Sequence, residues 1–104
     1  MQRICFLMEI LPGQEEEYER RHAQVWPELA AELRSAGVRK YTLFRRGTQV
    51  IAYAECEPDA ETAFAAVGRT EPNRRWAQWF TDVLAVHTDP DGRLIEAHEV
   101  WHLD

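Results

Sequence analysis

The chain has 104 residues, 45% of them hydrophobic, and its 12 Lys plus Arg against 18 Asp plus Glu give a net charge of −6. Length and near-average composition point to one domain, residues 1–104, able to bury a core without metals or disulfides. The acidic balance excludes nucleic acid as the main partner, because phosphate binding needs clustered cations and the pairs Arg20-Arg21, Arg45-Arg46 and Arg74-Arg75 are interrupted by acids. No apolar run approaches the roughly 20 residues of a spanning helix, and the opening MQRICFLMEI is too short for a signal peptide and carries Glu9. The expected location is therefore the cytoplasm, with no membrane partner.

In chain order, residues 2–10 alternate Ile4, Phe6, Met8 and Ile10 with Cys5 and Leu7, a strand with two largely apolar faces that Pro12-Gly13 ends. From Gln14 to Ala36 the positions Tyr18, His22, Val25, Trp26, Leu29 and Leu33 form one helical stripe, closed by Gly37. Pro27 inside it predicts a kink or a restart at Trp26. Residues 38–46 and 49–57 read as two strands joined through Gly47-Thr48. Asp59 is placed to cap a helix over Glu61–Val67, and after Glu71-Pro72 a second helical pattern carries Trp76, Trp79, Phe80 and Val83. HTDPDG is a turn, and Arg93–Leu103 alternates like a strand.

The order β-α-β-β-α-β, with right-handed crossovers, predicts an α+β, ferredoxin-like four-stranded antiparallel sheet with helices on one face. Strands apolar on both sides imply that the other face is covered too. A homodimer packing sheet against sheet, a ligand cavity, or both would do this.

Cys5 and Cys56 fall in apolar strands and read as small buried hydrophobes, and the absence of CxxC spacing speaks against a cysteine zinc site. His98-Glu99-Val100-Trp101-His102 matches HExxH, but on a strand residues four apart are separated by roughly 13 Å, too far to share a zinc held at about 2 Å per bond. Asp89-Pro90-Asp91-Gly92 is a plain turn rather than a calcium loop, having an internal proline and no bidentate Glu. More informative are Tyr18 and His22, four apart on one helix face, where an imidazole titrating near neutrality beside a phenol makes a proton-transfer site. Tyr41 and the tryptophans Trp26, Trp76, Trp79 and Trp101 are expected to be mostly core, with a few forming a platform for a sugar or flat ligand. No Gly-rich phosphate loop, GxSxG elbow or partnered Cys is present, so nucleotide-dependent and covalent mechanisms rank low.

Met8, Pro12 and the run EEYERRHAQVWPEL resemble the L-rhamnose mutarotase family, whose chief signature is E-x-Y-x-x-R-H-x-x-x-W-P-E-L. The likeness continues through Gly37, Tyr41, Arg75-Trp76, Thr81-Asp82-Val83 and the terminal EVW, across essentially the whole chain. It implies a dimeric ferredoxin-like fold of the α+β barrel type, an isomerase that needs no cofactor or metal, His22 as proton donor, and Tyr18, Tyr41 and Trp76 as sugar-contacting residues. One departure is Ala77, where family members often carry a second tryptophan; this bears on which 6-deoxyhexose, L-rhamnose or one such as L-fucose, is preferred. The chemistry suits these residues, because anomers interconvert when the ring oxygen gains a proton as the anomeric hydroxyl loses one. His22 is expected to protonate the ring oxygen while Tyr18 orients the sugar or relays a proton. The residues by themselves also admit a cofactor-independent oxygenase or a non-catalytic metabolite-binding dimer of the same fold.

Overall fold

The computed structural model describes residues 1–104. The elements are β1 (Gln2–Ile10), α1 (Glu15–His22), α2 (Pro27–Ala36), β2 (Val38–Arg46), β3 (Gln49–Cys56), α3 (Ala60–Gly68), α4 (Glu71–Trp79), β4 (Leu84–Val86) and β5 (Ile95–Ala97). All strand pairs are antiparallel, in the order β2-β3-β1-β4, with β5 also on β1. The structure is thus an α+β fold with an antiparallel sheet and helices, as expected.

The helical stripe is interrupted where Pro27 predicts. Trp26 takes an extended ψ of 130° as N-cap, and Pro27 opens α2, where its missing N–H costs nothing. Residues 14–36 therefore form two helices, not one. Asp59 caps α3 by accepting the Thr62 N–H at 2.8 Å, and Thr70 caps α4 by accepting that of Asn73. The second helical pattern ends before its expected limit, at Trp79, with Phe80 and Val83 buried in the turn that follows. The β2–β3 hairpin has the anticipated two-residue loop, and Gly47 at φ +59° supplies the left-handed first position.

The last strand differs most from expectation. The edge of β1 is shared between β4, unpredicted, at Glu9–Ile10 and β5 at Cys5–Leu7. The intervening turn is held by Asp89, whose Oδ1 accepts the N–H groups of Asp91 and Arg93. Pairing stops at Ala97 instead of running to Leu103. Glu99 still meets Arg3 at 2.9 Å through side chains, but Val100, Trp101 and Leu103 are exposed and nothing packs on them to hold a strand.

Alternation assigns the sheet faces. Ile4, Phe6 and Ile10 of β1 and Val50, Ala52, Ala54 and Cys56 of β3 are buried towards the helices, where Ile10 and Val50 meet Tyr18, Phe80 and Val83 and the others meet Ala60, Ala63 and Val67 of α3. On the opposite face Phe44, Ile51, Leu7 and Ile95 lie in one register row across all four strand positions, and Phe44 keeps 58% of its surface exposed. Cys56 is buried, Cys5 half-buried, and both are free thiols.

Strict alternation along β2 cannot put both Val38 and Tyr41 on the helix side, since they are three apart. A bulge does so. Arg39 pairs Glu55 and Thr42 pairs Tyr53, leaving Lys40 and Tyr41 both opposite Ala54, with Lys40 at φ +51°. Tyr41 is thereby aimed at the space under the helices.

Candidate functional site

Between the helix layer and the sheet lies an open cavity of about 1300 Å³, with Phe6, Met8 and Leu43 as floor and Tyr18, His22, Tyr41, Phe64 and Trp76 among its walls. The four residues expected to form the site, Tyr18, His22, Tyr41 and Trp76, all line this one cavity. A smaller cavity of about 430 Å³ lies beyond them, and Tyr18, His22 and Leu43 border both.

Tyr18 and His22 face the same way because they are one helical turn apart, and their rings stand 4.3 Å apart. The His22 Nδ1–H donates to the Tyr18 carbonyl at 2.8 Å. A carbonyl only accepts, so the neutral ring carries its proton on Nδ1 and leaves the Nε2 lone pair free. Burial lowers the His22 pKa, and the bond to the carbonyl offsets this in part. Around the ring stand Phe80 at 5.0 Å and Trp76, edge-on, at 5.3 Å. The imidazole is thus held neutral by apolar neighbours, with one nitrogen fixed and the other available.

Tyr18 is 4% exposed, and burial pushes its phenol well above the ordinary range. Tyr41 is raised in the same direction, first by burial and then by the nearby Tyr18. The residue is 37% exposed and lines the cavity, and its ring packs on Phe6 and Phe64. Both phenols therefore remain protonated and serve as hydrogen-bond donors and acceptors, not as phenolate bases.

The tryptophans depart from expectation, since none is fully buried. Trp76 alone lines the cavity. Trp26 and Trp79 stack on one another at 5.4 Å and brace Trp76 edge-on, at 5.0 and 5.5 Å, while Trp101 is exposed on the terminal segment. Ala77 borders the cavity next to Trp76, so no second ring extends the aromatic wall there.

Sequence reasoning passed over Arg21 and Phe80 as site-forming residues. The Arg21 guanidinium, 9% exposed, bonds Asp82 at 3.0 and 3.2 Å, Glu17 at 2.6 Å and the Trp79 carbonyl at 2.5 Å. It also lies over the rings of Trp79 and Phe80. These bonds tie α1 to the end of α4 and thus set His22 against Trp76. They also hold Asp82 below the usual carboxylate range and, with Arg20, bring Glu17 down to about 2. A basic pair reads as solvated surface, and only the tertiary fold shows that its second member turns inward.

His98 and His102 are not on a helix. His102 Nε2 lies 2.8 Å from Asp104, and Glu99 is engaged by Arg3, so the HExxH match is coincidental.

The model of the family described as L-rhamnose mutarotase matches residues 3–103. The chain is 36% identical over 103 residues to the L-rhamnose mutarotase of Escherichia coli O8, covering 99% of both chains. It is 37% identical over 106 residues to that of Burkholderia orbicola, covering 100% of both. Among solved structures, the L-rhamnose mutarotase of Formosa agariphila superimposes with a TM-score of 0.80 at 26% identity, each chain fully covered. With the signature residues gathered round one cavity and the match running from end to end, the chain belongs to the L-rhamnose mutarotase family.

Proposed function

We propose that the protein interconverts the α and β anomers of L-rhamnose in the cavity between helices and sheet, with His22 delivering the proton to the ring oxygen. The observation that carries this is the neutral imidazole with Nδ1–H fixed on the Tyr18 carbonyl and Nε2 free, in a cavity that the Tyr18 and Tyr41 phenols also line. A neutral ring has no proton on Nε2 to give, so it must first collect one. The anomeric hydroxyl supplies it: Nε2 takes that proton, the exocyclic C–O becomes the carbonyl as the ring C–O bond breaks, and Nε2–H protonates the departing ring oxygen. Rotation of the open aldehyde and reversal of the same steps gives the other anomer, with no net change in protons. Tyr18 and Tyr41 hold hydroxyls, and the Trp76 ring packs on the sugar's apolar side.

The pH dependence follows in sign. Protonation at Nε2 removes the acceptor, so kcat/KM is flat at neutral pH and falls as pH drops through the His22 pKa, which burial places below 6.5. A profile that rises in acid would instead make the imidazolium the resting donor and overturn the shuttle.

The function itself is tested by saturation-transfer NMR of α-to-β exchange with catalytic amounts of protein, for L-rhamnose and L-fucose in parallel. The result expected is accelerated exchange, with the preference between the two sugars showing what Ala77 changes. No acceleration with either sugar would overturn the activity and favour a binding module or another enzyme of this fold.

A homodimer belongs to the same proposal. The row Phe44, Ile51, Leu7 and Ile95 crosses the sheet's helix-free face, and a second copy laid sheet against sheet would bury it. Light scattering is expected to give twice the 12.2 kDa of one chain; a monomeric mass at micromolar concentration would refute it.

A further inference from the structure

We propose that Glu96 is a sugar-binding residue that accepts hydrogen bonds from the hydroxyls on carbons 3 and 4, so that it selects among deoxyhexoses without taking part in proton transfer. This rests on the mutarotase reading above.

Residues directly opposite in a sheet share a face. Glu96 pairs Phe6, Phe6 pairs Ala52, and Ala52 pairs Leu43, so these four make one row across the helix-facing side of the sheet. Glu96 and Leu43 are its ends, and both line the large cavity. Leu43 also borders the smaller cavity together with Tyr18 and His22, which places these two residues at that end of the row. Three inter-strand spacings of about 4.8 Å separate the end backbones by roughly 14 Å. The Glu96 side chain reaches inward from one end, and His22 and Tyr18 overhang the other. The remaining gap, floored by Phe6, suits a single pyranose ring.

Glu96 is exposed and lines the cavity, so its carboxylate is open to a ligand there. The nearby acids that pair do so elsewhere: Glu99 with Arg3, Asp82 with Arg21 and Glu19 with Arg45. Asp89, also at the cavity, is occupied by the N–H groups of Asp91 and Arg93. Glu96 pairs with no side chain, although Arg93 lines the same cavity. Its two oxygens are acceptors only, and two neighbouring hydroxyls are the donors that match them. With carbon 1 at Nε2, the ring positions presented to Glu96 are those across the sugar, carbons 3 and 4.

The test uses L-rhamnose and 4-deoxy-L-rhamnose as probes, with the whole protein and Glu96→Gln. Loss of a charge-assisted hydrogen bond is expected to raise KM for L-rhamnose about tenfold or more in Glu96→Gln, with kcat and the acid limb of the pH profile unchanged. The wild-type protein is expected to hold 4-deoxy-L-rhamnose comparably poorly, and that penalty is expected to shrink in the variant, because the lost hydroxyl and the lost charge belong to one contact. Unchanged KM, a fall confined to kcat, or an equal penalty for the deoxy sugar in both proteins would each overturn the assignment. Wild-type protein that exchanges no deoxyhexose would overturn the mutarotase reading itself, so the two failures are distinguishable.

Discussion

Replacing His22 by Ala is expected to lower the catalysed rate of anomer exchange by about 10²- to 10⁴-fold, the usual contribution of a positioned acid or base. The reaction proceeds unaided in water, so the residual rate should sit close to the uncatalysed background. Because the ring is half-buried and donates only to the Tyr18 carbonyl, its removal leaves a void bordered by Phe80 and Trp76 without stranding a buried charge. The variant should therefore fold and still bind sugar through Tyr18, Tyr41 and Trp76, so that kcat falls far more than KM rises. NMR exchange rates at several sugar concentrations separate the two. A variant that retains full exchange would remove His22 from the mechanism.

The largest expected effect on stability is at Gly37. This residue closes α2 at φ +102°, with its N–H directed to the carbonyls of Leu33 and Arg34. Its own carbonyl accepts the Glu57 N–H at 2.9 Å, and a Cβ added here would stand 2.1 Å from the Glu57 carbonyl oxygen. Gly37→Ala therefore combines a left-handed conformation, disfavoured by about 1–2 kcal/mol for a residue with a Cβ, with a backbone collision that only moving the β3–α3 junction relieves. We expect a loss on the order of 3 kcal/mol and a fall in Tm on the order of 15 °C for a domain of this size. Thermal unfolding by circular dichroism measures it, and a Tm within a few degrees of wild type would show that the junction yields easily.

The residues that announced their places were those whose local chemistry has one solution. Pro27 can only begin a helix, Gly37 ends one, Gly47 turns a hairpin and Asp59 caps α3; all four act as expected. The pairing of Tyr18 with His22 followed from helical spacing alone. The arrival of Tyr41 in the same cavity did not, because period-two alternation from Val38 sends it to the other face, and a bulge at Lys40 leaves no composition signal when the left-handed residue is not glycine. The tryptophans were misjudged for a related reason: spacing says which side of a helix they occupy, not whether another ring already fills the place beneath. The end of the chain was overextended because Arg93–Leu103 alternates well, whereas a strand also needs a neighbour, and beyond Ala97 β1 offers side-chain contact only.

The orientation of His22 by a main-chain carbonyl has a consequence for the energetics of turnover. Where a carboxylate holds an imidazole, its negative charge steadies the protonated ring and tilts the proton towards nitrogen. The Tyr18 carbonyl fixes the ring as firmly in direction while lending it no net charge. In the proposed shuttle the proton then has no deep well on the enzyme and passes between two oxygens of one sugar with little preference for where it rests. For an isomerisation whose substrate and product differ only in the hand of a single carbon, a nearly level path serves both directions equally, and the catalyst needs no reset between turnovers.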